Sequence, residues 1–80
     1  MRNKELIGLA AQKALKGGLE EHFTKEDLVE MFQFLDGLRD SGVVNMFGAA
    51  PYLEENFFIG VRLARKVLQA WMETYGKETE

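Results

Sequence analysis

Hydrophobic residues recur at helical spacing in three long segments, and a shorter fourth segment lies between the second and third of these. The clearest pattern follows Thr24, where apolar side chains lie three or four positions apart and so share one helix face: Leu28, Met31, Phe32, Leu35 and Leu38. The pattern predicts an all-α fold, a compact bundle of about four helices over residues 3–16, 25–41, 49–57 and 60–75, without a sheet. We expect one domain over 1–80, with a frayed tail at 77–80.

Helix termini are marked by residues that cap or stop a helix. Asn3 is placed to cap the first helix, which the pair Gly17–Gly18 ends. Thr24 and Asp27 approximate a capping box at the start of the second helix, with Asp in the position that Glu usually takes. Gly42 is expected in the left-handed conformation after that helix. In the last helix, Gly76 is predicted to be the stop.

The segment 43–53, between the second and third helices, is more apolar than a plain connector. It contains Met46, Phe47, Tyr52 and Leu53. Pro51 fits the first turn of the third helix, because its missing N–H has no helical partner there. A segment this apolar either packs into the core or presents a surface to a partner, and the sequence leaves both possibilities open.

Composition narrows the class of protein. The chain has 80 residues, of which 46% are hydrophobic, enough to exclude a disordered chain. It has no cysteine, so no disulfide framework and no thiolate metal site can form, which favours the cytoplasm. No run of apolar residues is long enough for a membrane span. Residues 1–18 weakly resemble a signal peptide, but charged and polar residues interrupt the apolar run.

Candidate catalytic chemistry is sparse. His22 is the only histidine, and one histidine with scattered carboxylates does not make a metal site. Glu54 and Glu55 are adjacent and point about 100° apart on a helix, so they do not form a facing acid–base pair. Gly17–Gly18 follows no strand and is not a phosphate loop. We therefore expect no catalytic residue, no cofactor and no metal, and a protein that is not an enzyme.

Protein association has stronger support. Gly37 lies within the second helix on its polar side, where glycine costs up to about 1 kcal/mol relative to alanine, and close approach of another backbone is one reason for it. Surplus apolar area often marks an interface. The predicted interface consists of Phe34, Gly37, Met46, Phe47, Tyr52 and Leu63. A homodimer is the favoured assembly, and an unidentified protein partner remains open. Phe47→Ala and Tyr52→Ala should weaken association more than folding.

Two alternatives remain. Arg62, Arg65 and Lys66 lie opposite the apolar stripe that contains Trp71, and this basic face could enter a DNA groove. The net charge of −3 and the acidic second helix argue against nucleic acid without excluding it. As a third class, residues 2–16 could lie as a helix on an anionic membrane surface.

About half of the chain carries a distinctive pattern. It comprises Ser41–Gly42, then Asn45 to Leu53 (NMFGAAPYL), and Ala64 to Met72 (ARKVLQAWM). This pattern resembles a group of short hypothetical proteins from bacteriophages and marine metagenomes. The resemblance implies a phage or environmental-microbe origin and a free-standing small protein. It implies no catalytic or binding residues. The chain departs from the group at Phe58–Val61, where a Ser or Thr cap is expected, which leaves the start of the last helix uncertain by a turn.

Overall fold

The computed structural model describes residues 3–42 and 46–78, and in these two ranges the chain forms four α-helices and no strand. The helices are α1 (Lys4–Lys16), α2 (Lys25–Ser41), α3 (Ala50–Phe57) and α4 (Val61–Glu78). Short 3₁₀ turns, Leu19–Glu21 and Met46–Gly48, precede α2 and α3. The predicted all-α class is confirmed, and α2 has the predicted bounds.

The N-terminal caps form as the sequence predicts. Asn3 Oδ1 accepts a hydrogen bond from the N–H of Leu6 at 2.9 Å. At α2, Thr24 Oγ1 accepts from the N–H of Asp27 at 3.2 Å, and Asp27 Oδ2 accepts from the N–H of Thr24 at 3.1 Å. The shorter Asp side chain therefore closes the capping box, so that two backbone donors of the first turn are satisfied.

The C-terminal predictions have mixed outcomes. Gly42 ends α2 with φ 69°, the left-handed conformation expected of it. The prediction that Gly76 ends the last helix is wrong, because α4 continues to Glu78. Glycine lowers helix propensity by about 1 kcal/mol but does not by itself stop a helix. The predicted frayed tail at 77–80 is thus helical at 77 and 78, and 79 and 80 lie outside the described ranges.

The core is built from one face of each helix. Both α2 and α4 supply large side chains, and α1 packs against both of them while α3 packs on α4. The larger buried residues include Leu28, Met31, Phe32, Leu35, Leu53, Val67, Leu68 and Trp71. Trp71 is 2% exposed, as its position on the apolar stripe predicts. From α1 the buried set is mostly small: Ile7, Ala10, Ala11 and Ala14.

Each helix within residues 3–42 and 46–78 is too short or too polar to cross a bilayer.

Candidate interaction surface

The segment 43–53 divides between the core and the surface. Met46 is half-buried and packs against the core, and Leu53 is fully buried. Ala49 and Ala50, between them, are also buried. Tyr52 points outward and is 37% exposed. Residues 43–45 and the side chain of Phe47 lie outside the described part of the chain. Of the described side chains in this segment, Tyr52 is therefore the large apolar one that a partner can reach.

The other predicted interface residues lie mostly at the edge of the core. Phe34 is half-buried, and its ring meets that of Phe57 edge to face, with centroids 5.6 Å apart. This aromatic pair joins α2 to α3 and contributes to folding as well as to any surface. Gly37 and Leu63 are half-buried. The predicted set is thus not brought together as one exposed patch among the residues described.

Large apolar side chains that are exposed fall into two groups in the described ranges. Leu6 and Leu9 lie on the outer side of α1, with 38% and 59% exposed. The second group lies in and around α3 and the start of α4: Tyr52, Phe58 at 93% and Val61 at 45% exposed. The sequence analysis missed Phe58 and Val61. The available signal was that Phe58 lies beyond the predicted end of the third helix at Phe57, so the apolar stripe of that helix does not include it.

Phe58 has an unusual backbone. It follows α3 with φ 54° and ψ 44°, and no other non-glycine residue in the described ranges has a positive φ. This left-handed conformation costs an L-residue roughly 1–2 kcal/mol, which is why glycine is common at that position. The side chain is nevertheless a large aromatic and stands almost fully in solvent. A residue that is both strained and exposed is a candidate for function.

A surface groove of 580 Å³ lies between α3 and α4, and its lining includes Val61, three residues after Phe58. Its α4 wall carries Val61, Arg65, Leu68 and Met72, which are spaced so that they share one helix face. Its α3 wall carries Ala50, Pro51 and Glu54. We refer to it as the α3–α4 groove. It is largely apolar and has one charge of each sign, acidic on α3 and basic on α4.

The predicted basic face is divided between two grooves. Arg62, Arg65 and Lys66 are all exposed on α4. Arg65 lines the α3–α4 groove, whereas Lys66 lines a second groove of 340 Å³ between α1 and α4. Lys13 from α1 also lines this second groove, as does Glu73. The three cations therefore do not form one uninterrupted basic surface.

Residues 3–42 and 46–78 contain no group of three or more His, Asp or Glu side chains placed to hold a metal ion. His22 is exposed and its ring meets that of the neighbouring Phe23 edge to face at 6.3 Å. Glu54 is half-buried in the groove wall and Glu55 is exposed, so the two carboxyl groups differ in environment.

Comparison with protein-family models, curated proteins and solved structures finds no significant match to this chain.

Proposed function

We propose that the protein is a small, non-enzymatic interaction protein of the cytoplasm that self-associates, as a homodimer, through the apolar corner formed by α3 and the start of α4. The observation that carries this proposal is the exposure of Tyr52, Phe58 and Val61, at 37%, 93% and 45%. Tyr52 belongs to the segment 43–53 from which the sequence predicts an interface. Phe58 and Val61 follow Tyr52 along the chain, in the connector after α3 and in the first turn of α4.

The free energy gained when apolar side chains leave water favours burial of this corner by a partner. Moving a fully exposed Phe side chain out of water stabilises an assembly by about 1.5–3 kcal/mol. A symmetric dimer gains each such contribution twice, because the same patch is used on both copies.

Mass in solution tests the proposal directly. Light scattering coupled to size exclusion, from low to high micromolar protein, should show a rise from 9.1 kDa toward twice that mass. Substituting Tyr52 by Ser should move the transition to higher concentration. A single copy at every concentration would overturn the proposal.

Nucleic-acid binding is a second candidate because α1 adds Lys13 to the groove that Lys66 lines. This brings cations of two helices to one surface, although Glu73 lies in the same groove. Titration with duplex DNA at low salt tests it, since phosphate contacts dominate such binding and weaken with salt. Binding that disappears in the Arg62→Ala, Arg65→Ala, Lys66→Ala triple variant would support this candidate. Absence of binding by the unaltered protein would remove it.

A further inference from the structure

We propose that Phe58 of each copy inserts into the α3–α4 groove of a second copy, so that two identical knob-and-groove contacts hold a symmetric dimer. This inference rests on the proposed self-association and deepens it. It names the second copy of the chain as the occupant of the groove and Phe58 as the side chain that fills it.

The first support is that the Phe58 side chain packs little against the described part of its own chain. Its side chain is 93% exposed, and its backbone is left-handed with φ 54°. Glycine would relieve the strain and remove the exposed ring, and the chain already uses Gly42 at the end of α2 in this way, with φ 69°. An aromatic at this position is explained if the ring is buried in the assembly.

The second support is the chemistry of the groove. Its volume of 580 Å³ is lined by Val61, Leu68 and Met72 along α4 and by Pro51 on α3. Methionine presents a polarisable surface that adapts to an aromatic ring. A preformed, mostly apolar cleft with a few polar groups at its edges is the usual form of a binding site.

The third support is that the knob and the groove are close together along the chain. Phe58 is three residues before Val61, and three residues span at most about 11 Å. A knob next to its own complementary groove is what a two-fold axis requires, because each copy then gives a knob and receives one. The same axis can bring Glu54 on one wall toward Arg65 of the partner, and these two residues have opposite charges.

A charge-swap mixing experiment separates contacts between copies from contacts within one copy. The variants Glu54→Arg and Arg65→Glu are purified separately and then mixed in equal amounts. In a homodimer of either variant, two pairs of like charges face each other, whereas in the mixed dimer both pairs are opposite. We expect each variant alone to dimerise at least about tenfold more weakly than the unaltered protein, and the mixture to recover. Equal affinity in all three samples would overturn the inference.

Phe58→Gly and Phe58→Asn test the knob. Both residues tolerate the left-handed backbone, so the melting temperature in dilute solution should rise or stay level while dimerisation weakens at least about tenfold. Leu9→Ser is the matched control, because it removes a side chain that is 59% exposed on α1 and should change the dimer affinity less than about twofold. Unchanged dimerisation by both Phe58 variants would overturn the inference.

The two levels of the proposal fail differently. If the unaltered protein stays a single copy at high micromolar concentration, self-association and the knob-and-groove contact are both overturned. If it forms a dimer that both Phe58 variants and both charge variants leave intact, the proposed function stands and this inference alone is overturned.

Discussion

Trp71 Nε1 donates a hydrogen bond to Asp36 Oδ1 at 2.7 Å, inside the core. Asp36 is 0% exposed and Trp71 is 2% exposed, and the bond joins α2 to α4 across 35 positions of the chain. A buried carboxyl group is tolerated when hydrogen-bond donors meet it. The contact fixes how α4 lies against α2, which in turn places one wall of the α3–α4 groove.

Removing this contact should destabilise the fold. Trp71→Phe takes a donor away from a buried carboxyl group, and a hydrogen bond to such a group contributes about 1.5–3 kcal/mol. Because the chain has one Trp, urea unfolding should be followed by far-ultraviolet circular dichroism in place of fluorescence. A cycle with Asp36→Leu isolates the pair, with an expected coupling energy of about 1–3 kcal/mol. A coupling near zero would show that the bond is incidental.

The capping box at α2 gives a second prediction. Thr24→Ala should lower the free energy of unfolding by about 1 kcal/mol, because Asp27 loses the acceptor for its backbone N–H. The neighbouring Lys25→Ala, at an exposed position of the same turn, is the control and should stay within about 0.5 kcal/mol. Equal losses in both variants would mean that the cap contributes nothing specific.

Two glycine substitutions should act in opposite directions. Gly42→Ala should destabilise by about 1 kcal/mol, since φ is 69° and a Cβ there meets no atom within 4 Å, so the cost is purely that of the backbone. Gly8→Ala should stabilise by up to about 1 kcal/mol, because Gly8 is inside α1 and its added Cβ would meet only Lys25 Cε, at 3.9 Å. Thermal unfolding measures both, and a loss on Gly8→Ala would indicate a partner at that surface.

Substitution of Tyr52 should affect association more than folding. Tyr52→Ser removes a ring that is 37% exposed, so stability in dilute solution should fall by no more than about 1 kcal/mol. The free energy of dimerisation should weaken by more than this loss of folding stability, which would be seen as a rise in the dimer dissociation constant. The control is Phe34→Leu, because Phe34 packs against the ring of Phe57 and should affect folding first. Parallel losses in folding and association at Tyr52 would make it an ordinary packing residue.

The sequence was most informative where periodicity and capping agreed. The bounds of α2 follow from an apolar stripe that begins after Thr24 and ends before Gly42, and both terminal signals act within a few residues of the chain. Gly76 was misread because propensity is a weak term when a helix already has tertiary packing.

Asp36 was overlooked because acidic residues are nearly always solvated. Its position four residues after Phe32 puts it on the apolar stripe, and the indole of Trp71 requires an acceptor when buried. Taken together, these two observations predict that Asp36 accepts a hydrogen bond from Trp71.

The candidate surface was only partly predictable. Tyr52 was identified from the apolar segment, but Phe34 and Met46 contribute to the core, which a helical pattern cannot distinguish from a neighbouring surface. Phe58 depends on a backbone conformation that aromatic residues seldom adopt. No propensity rule anticipates such a conformation, because it is set by how α3 must turn into α4.

The alanines of α1 limit how the interior can vary. Ala10, Ala11 and Ala14 are buried, so a larger side chain at any of them would have to push α1 away from its neighbours. Each alanine also removes less area from water than a leucine would, which leaves Ile7 as the main anchor of α1. Packing of α1 against both α2 and α4 therefore depends on close approach of its backbone more than on the area of its side chains.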